Sequence, residues 1–155
     1  MGSNIDLSQL SNFLKDRTSK IYDNMAEAMD LCGDKVVSDI KYSMDHTERN
    51  MERSYYTNNA TIAHHPSKPY NPPAVDTGNL KNTVRHEVYK NGKEVYGIVG
   101  TTQKDPDYGL YLEYGTSDGR IAPRPWLKPT MRKNNDFIRT AIAKAVQNTL
   151  IGGNK

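Results

Sequence analysis

The chain has 155 residues and a mass of 17.5 kDa, a size that predicts one domain. Hydrophobic residues make up only 35% and the mean hydropathy is −0.80, so we expect a small core and much surface that is solvated or covered only in a complex. The single cysteine, Cys32, excludes an internal disulfide and a thiolate cluster, and no apolar run is long enough to cross a bilayer. We therefore expect a soluble protein, made in a reducing compartment.

The net charge of +3 is unevenly distributed along the chain. Residues 1–76 carry 8 basic and 11 acidic side chains, and residues 77–119 carry 5 and 6. Residues 120–155 carry 8 basic and 1 acidic side chain, a net charge of +7. A basic end of this kind indicates an acidic partner or nucleic acid, or else a helix with a solvated basic face.

Residues 6–47 have the pattern of one long helix, because apolar side chains recur at steps of three and four. Asp6 or Ser8 can cap its start. Gly33 predicts a kink or break, since glycine costs about 1 kcal/mol relative to alanine inside a helix. An unbroken helix would span roughly 60 Å, so we expect part of it to pack on a neighbour. The stripe comprises Leu7, Leu10, Leu14, Ile21, Met25, Ala28, Cys32, Val36, Ile40 and Met44.

Residues 48–74 form a proline-rich arm, which we predict to be a long loop that is mobile in the free protein. His64 and His65 lie within it, but adjacent histidines point in different directions and no third ligand stands at a useful spacing. We therefore expect no metal site.

The first motif, Asp76-Thr77-Gly78-Asn79-Leu80, predicts a capped helical turn. Asp76 or Thr77 can accept hydrogen bonds from free N–H groups, Gly78 permits unusual backbone dihedrals, and Leu80 anchors the turn. Asn91-Gly92 lies between alternating segments, residues 83–89 and 94–100, and predicts a β-hairpin. The core-facing positions would be Val84, Val88, Val95 and Val99.

The second motif, Tyr111-Leu112-Glu113-Tyr114-Gly115-Thr116, ends a predicted short helix over residues 107–114. Leu110, Tyr111 and Tyr114 would share one face of this helix, and Gly115 suits a left-handed stop.

The third motif, Pro123-Arg124-Pro125-Trp126-Leu127-Lys128-Pro129, predicts an extended segment around the lone tryptophan. Trp126 is either a core residue, which we favour, or an interface anchor. A second helix is predicted over residues 129–150, with Pro129 near its first turn and Gly152-Gly153 after its end. Its apolar stripe would comprise Met131, Ile138, Ile142, Ala145, Val146 and Leu150.

The sequence contains no phosphate-binding loop, dinucleotide turn, zinc-protease motif or nucleophile elbow. Glu113 has no obvious partner base, and the second half is poor in clustered carboxylates that could bind a metal. We therefore expect a protein that works by docking rather than catalysis, with no cofactor.

Taken in order, the motifs resemble the small tail-completion, or head–tail joining, proteins of long-tailed bacteriophages related to lambda-like siphophages. The resemblance covers roughly residues 75–150. It implies an α+β fold with a long N-terminal helix and a C-terminal helix on a small antiparallel sheet containing a β-hairpin. The residues that carry it are Thr77, Gly78, Leu80, Val99, Gly100, Tyr111, Glu113, Gly115, Thr116, Pro123, Pro125, Trp126 and Pro129.

The resemblance implies a structural protein of the virion neck, present in the host cytoplasm during assembly. Such subunits form a ring, often sixfold, around the DNA channel. Their neighbours are a head-connector or stopper protein and a tail terminator or tail tube protein, and no membrane is involved. Residues 58–74 of the arm are a proline-rich insertion that the short members of the family lack. We expect the arm to contact a neighbouring subunit or ring. The candidate residues for contacts between rings or for facing DNA are Arg120, Arg124, Lys128, Arg132, Lys133 and Arg139.

Two other classes of function stay open at this point. The basic C-terminal helix and the 10 tyrosines could belong to a nucleic-acid-binding module, although no recognised nucleic-acid motif is present. A phage-encoded enzyme or inhibitor acting in the host is the third class, and it would need a site that the sequence does not display.

Overall fold

The computed structural model describes residues 6–52, 64–92, 94–102 and 106–151. Helix α1 spans Leu7–Asp45 and α2 spans Asn79–Thr83, followed by strands β1, Val84–Lys90, and β2, Val95–Thr101. Helices α3, Pro106–Tyr114, α4, Lys128–Lys133, and α5, Asn135–Ile151, complete the chain. The predicted α+β class is confirmed, with long N-terminal and C-terminal helices and a two-stranded antiparallel hairpin. Within the described ranges, no helix is long and apolar enough to cross a membrane.

The chain divides into two compact units. Unit 1 comprises Met1–Gly33, Glu87–Ile98 and Asp136–Lys155, and unit 2 comprises Asp34–His86 and Val99–Asn135. Neither unit coincides with one of the predicted ranges 6–47, 48–74 and 75–150, because both α1 and the hairpin contribute residues to each unit. The single domain expected from chain length stays a prediction.

Helix α1 begins with the predicted cap. The Asp6 carboxylate accepts hydrogen bonds from the Ser8 backbone N–H at 2.9 Å and from the Ser8 hydroxyl at 2.7 Å, and these bonds lower the pKa of Asp6. The helix runs through Gly33 without interruption, so the predicted break is wrong. The packing of a long apolar stripe outweighs the intrinsic cost of one glycine.

The apolar stripe of α1 is used unevenly. From Ala28 onward its members are buried, including Val36 and Ile40 at the centre of the core of unit 2. Its first two turns are exposed instead, with Leu7 at 78% of its free surface and Leu14 at 54%. The part of the apolar stripe that the chain leaves exposed is therefore the N-terminal part of α1.

The hairpin confirms the turn predicted at Asn91-Gly92. Gly92 has φ of 81°, and the Asn91 side chain accepts a hydrogen bond from the Glu94 N–H at 3.0 Å. Backbone bonds from Asn91 to Glu94 and from Thr102 to Thr83 set a register in which residue pairs sum to 185. All four predicted core positions fall on one face, where Val84 and Val95 are buried and Val88 and Val99 are half-buried.

The predicted second helix is divided in two, so that prediction is wrong at Asn134. Asn134 is buried, with φ of −92° and ψ of 0°, and its side chain donates hydrogen bonds to the Asp39 carboxylate at 2.9 Å and the Thr130 carbonyl at 3.0 Å. A short amide that bonds nearby groups competes with helical geometry, which explains the interruption. In the predicted stripe, Met131 and Leu150 are exposed, and Gly152-Gly153 lies outside the described residues.

Part of the proline-rich arm packs on its own unit. Arg49 and Ser67 form an antiparallel bridge, and the Tyr70 N–H donates to the Pro123 carbonyl at 2.7 Å. The Arg49 guanidinium donates to the Val75 carbonyl at 2.7 Å. Residues 64–74 are therefore held against unit 2, whereas 53–63 lie outside the described part of the chain.

Candidate docking surfaces and the motif junction

The second and third motifs meet in unit 2 at a buried carboxylate, and we call this place the motif junction. Glu113 is only 8% exposed. Its Oε2 accepts hydrogen bonds from the N–H groups of Trp126 at 2.7 Å and Leu127 at 2.9 Å, and its Oε1 accepts one from Lys128 at 2.9 Å. One side chain thus accepts hydrogen bonds from the free N–H groups at the start of α4. Its negative charge also interacts favourably with the positive end of the helix dipole.

Trp126 occupies the core side of the junction, as we favoured from the sequence. It is 4% exposed, and its indole Nε1 donates to the Gly109 carbonyl at 3.0 Å. A Cβ at Gly109 would lie 3.0 Å from Thr101, 3.6 Å from Trp126 and 3.8 Å from Leu80. Glycine therefore lets α3 approach Thr101 at the end of β2 closely, while Trp126 and Leu80 lie at ordinary contact distance, so all three motifs meet here.

Gly115 ends α3 in the predicted left-handed conformation, with φ of 78° and its N–H donating to the Tyr111 carbonyl at 2.8 Å. A Cβ there would lie 2.9 Å from the Ile121 carbonyl oxygen. Thr116 closes the following loop, because its Oγ1 accepts from the Ile121 N–H at 3.0 Å. The pKa of Asp118 in this loop is lowered, first by a hydrogen bond from Thr116.

Arg124 belongs to the interior of unit 2, which corrects its prediction as a residue between rings or facing DNA. It is 8% exposed. Its Nε donates a hydrogen bond to the Ser67 carbonyl and its Nη1 donates one to the Ala122 carbonyl, each with a donor–acceptor distance of 3.0 Å. A guanidinium has several donors in one plane, so it can tie two chain segments at once.

The first motif forms the predicted turn, with Gly78 at φ of 81° and Leu80 buried. Of the two predicted caps, Thr77 accepts a 3.4 Å hydrogen bond from the Asn79 N–H. Asp76 contacts the ring of His64 instead. This contact joins the arm to the motif.

The outer face of α3 holds the residues predicted to share one apolar face, but this face is not the buried one. Leu110, Tyr111 and Tyr114 are all exposed, with Tyr114 at 62%, whereas Leu112 and Glu113 point inward. Glu113 lies on the buried side of α3, because the backbone N–H groups that donate to its carboxylate are on that side. The outer face of α3 is therefore a candidate docking surface.

Two exposed apolar surfaces in the described part of unit 1 are candidates for docking, and Leu31, Phe137, Leu150 and Ile151 are exposed there as well. One is the N-terminal stripe of α1, which comprises Leu7, Leu10, Phe13 and Leu14. The other is the outer face of the hairpin, where Tyr89 and Tyr96 stack with ring centroids 5.2 Å apart beside the exposed Ile98. Glu87 accepts a hydrogen bond from Tyr89 and thereby raises the pKa of the Tyr89 phenol.

The remaining basic candidates are on the surface. Arg120 forms an exposed ion pair with Asp118 at 3.1 Å. Lys128, Arg132 and Lys133 are exposed on α4 in unit 2, and Arg139 is exposed on α5 in unit 1.

The metal-ligating and nucleophilic side chains form the last group of candidates within the ranges that the structure describes. Among the described residues, no group of three or more His, Cys, Asp or Glu side chains could hold a metal ion. Cys32 is buried, and desolvation raises the pKa of its thiol, which suppresses the reactive thiolate. Ser67 is near the His64–Asp76 pair in sequence, yet its hydroxyl has no hydrogen-bond partner in the described part of the chain.

Sequence reasoning located the motif residues but missed what several of them do. It did not predict the roles of Glu113 as a backbone acceptor, Arg124 as an internal tie or Asn134 as a helix break. No local sequence pattern signals the first of these, because Glu113 lies 13 residues before Trp126. No protein-family model matches the chain, and comparisons with curated proteins and with solved structures gave no match.

Proposed function

We propose that this protein is a ring-forming neck subunit of a long-tailed bacteriophage, a tail-completion protein that joins the DNA-filled head to the tail tube. The observation that carries the proposal is an imbalance of apolar side chains. In the described part of the chain, 19 large hydrophobic side chains are exposed, whereas 10 hydrophobic residues are buried. Where such side chains share one face, as on the first turns of α1 and the outer face of α3, they suit a surface that is covered when subunits dock.

The exposed apolar surfaces are of different kinds, which suits a ring. A ring needs two different surfaces on each subunit, because one patch on a molecule docks on another patch of its neighbour. The aliphatic N-terminal stripe of α1 and the aromatic outer face of α3 are two such surfaces. The motif junction supports the second one, since Glu113 fixes the backbone beneath it.

The proposed partners are further copies of this chain in a ring expected to be sixfold, a head-connector or stopper protein, and a tail terminator or tail tube protein. DNA passes through the channel. The protein would be located in the virion neck and, during assembly, in the host cytoplasm. We propose no enzymatic activity.

The exposed basic residues of α4, together with Arg139, are assigned to contacts between rings. A strongly basic channel lining would hold DNA by its phosphates rather than let it pass. Complementary charge between layers would instead speed docking and set its orientation.

The deciding experiment is electron microscopy of a lysate from the phage that carries this gene with an early stop codon. We expect filled heads beside separate tails, or tails of abnormal length. Normal joined particles would reject the structural role.

Charge reversal tests the proposed role of α4. The double variant Arg132→Glu/Lys133→Glu should reduce the yield of joined particles, because it inverts the charge of a docking face. The control, Lys20→Glu/Lys144→Glu, makes the same change in net charge at two exposed residues outside both the candidate set and the arm. Equal yields from the two variants would remove α4 from the interface.

A nucleic-acid-binding module is the second candidate, favoured by the exposed Arg132, Lys133 and Arg139. It predicts DNA affinity that falls steeply with salt and is weakened by the same double reversal. Affinity of this kind together with normal joined particles from the stop-codon phage would establish this alternative.

A further inference from the structure

Unit 2 contains a cavity of about 750 Å³ beside the motif junction. Its lining comes from the arm, from α3 and from the loop that precedes α4. This volume lies within the range of pockets that accept drug-sized ligands or short peptide ends. We propose that this cavity binds a carboxylate carried on an apolar body.

The first observation is an orphaned hydroxyl in the cavity wall. Ser67 is 1% exposed, and its Oγ makes no hydrogen bond within the part of the chain that the structure describes. Buried polar side chains are nearly always paired, so within the described part of the chain this hydroxyl is a donor left for a ligand in the cavity.

The second observation is a guanidinium in the same corner. Arg124 also lines the cavity and is 8% exposed. Its Nε donates to the carbonyl oxygen of Ser67 itself, and its Nη1 donates to the Ala122 carbonyl. These two bonds hold the guanidinium in place beside the serine, so the hydroxyl and a positive charge lie on one side of the cavity.

The depth of each lining residue indicates how a ligand would lie. Ser67 and Arg124 are buried, as are Pro73 and Leu112 on the apolar walls. Glu52, Asp76 and Arg120 are exposed at the rim. A carboxylate would accept hydrogen bonds from the buried donors, while its apolar body would contact the proline and the leucine.

The charges in the lining select against other ligands. A cation would meet the buried guanidinium and would find a hydroxyl as its main ligand, which is a poor cation site. A phosphate carries about two charges, of which the single buried guanidinium can offset only one, so it is disfavoured relative to a singly charged group. The inference does not depend on the proposed function, because it rests only on residues of unit 2.

The test uses backbone amide shifts of the full chain in NMR titrations. Benzoate is the probe, and benzamide, with the same ring and no charge, is its control. We expect benzoate to shift the amides of Ser67, Leu112 and Arg124, and benzamide to leave them unchanged. Two further probes, a leucine-ending alanine pentapeptide as free acid and as amide, distinguish a polypeptide terminus from a small molecule as the natural source.

Ser67→Ala should weaken benzoate binding about tenfold, the size expected for loss of one charge-assisted hydrogen bond. Ser38→Ala, an exposed serine on α1, is the matched control and should leave binding unchanged. Tighter binding of the peptide acid than of benzoate assigns the site to a chain terminus, and the reverse assigns it to a small carboxylate. Equal binding of benzoate and benzamide, no shift with any probe, or equal effects of the two serine variants would overturn the proposal.

Discussion

The two sides of α3 put neighbouring residues to opposite uses. Its inner side places Leu112 and the Glu113 carboxylate in the interior, where the carboxylate accepts three backbone hydrogen bonds. Its outer side leaves Leu110, Tyr111 and Tyr114 in solvent, where they contribute little to the fold. In the second motif, the polar residue Glu113 therefore stabilises unit 2, while the aromatic residues Tyr111 and Tyr114 remain available for a partner.

The strongest test of the inner side is Glu113→Gln. The amide offers one acceptor oxygen in place of two and brings an NH₂ group against N–H donors, so buried N–H groups lose their partner. We expect the free energy of unfolding to fall by about 3 kcal/mol, measured by denaturant titration. Glu27→Gln, at an exposed position on α1, should change it by less than about 0.5 kcal/mol. Similar values for both variants would show that the carboxylate does not stabilise unit 2.

Two glycines with positive φ test whether the close approach of the chain at the end of α3 is needed for stability. Gly115→Ala and Gly119→Ala both force alanine into the left-handed region, at a cost of about 1 kcal/mol. Only Gly115 also lies against the chain, with a Cβ contact of 2.9 Å to Ile121, whereas Gly119 has open space. Gly115→Ala should therefore cost about 2–3 kcal/mol in the free energy of unfolding. Equal losses would mean that the close approach is not required.

Asp39 extends the comparison to a less buried carboxylate of unit 2. Its pKa is lowered, first by the hydrogen bond from Lys35 and also by Asn134. The ionised form is favoured in the folded state, so its stabilisation is present above the ordinary pKa of 3.8 and is lost as the pH falls below it. Asp39→Asn should lower stability by less than about 1 kcal/mol at neutral pH, because the pair is partly solvated.

The measurement for Asp39→Asn is thermal unfolding of wild type and variant at several pH values. The gap in melting temperature should narrow as the pH falls through and below 3.8. A gap that is constant with pH would contradict a role for the ionised carboxylate.

The outer side of α3 predicts the smallest effect on stability. Leu110→Ser and Tyr114→Ser remove exposed apolar surface, so each should change the free energy of unfolding by less than about 0.5 kcal/mol. Under the proposed function, the same variants should reduce the yield of joined phage particles. A large loss of stability would show instead that this face packs on the chain itself.

Periodicity carried much of the fold prediction, because spacing reports which side of an element is apolar. The steps of three and four in α1 and the valines of the hairpin follow from this rule. It failed where a polar side chain took an interior role. Glu113 binds backbone in the interior, and Asn134 divided the last helix. The Trp126 N–H lies 13 residues from Glu113 and Asp39 lies 95 residues from Asn134, so no local pattern could reveal these contacts.

The candidate site was predictable to a similar extent. The motif residues could be identified from their order, but the burial of Arg124 could not, since an arginine between two prolines looks like a surface residue. Its acceptor is the carbonyl of Ser67, 57 residues earlier in the chain. The orphaned hydroxyl of Ser67 likewise becomes visible only in three dimensions.

The arrangement at Glu113 also has a consequence for how amide protons exchange with solvent. The N–H groups of Trp126, Leu127 and Lys128 all donate to one carboxylate. None of the three bonds belongs to a helix or strand ladder, so a single side-chain rotation would expose all three protons together. Deuterium should therefore exchange into these three consecutive amides at a common rate. That rate would measure how often the Glu113 side chain rotates away from the backbone.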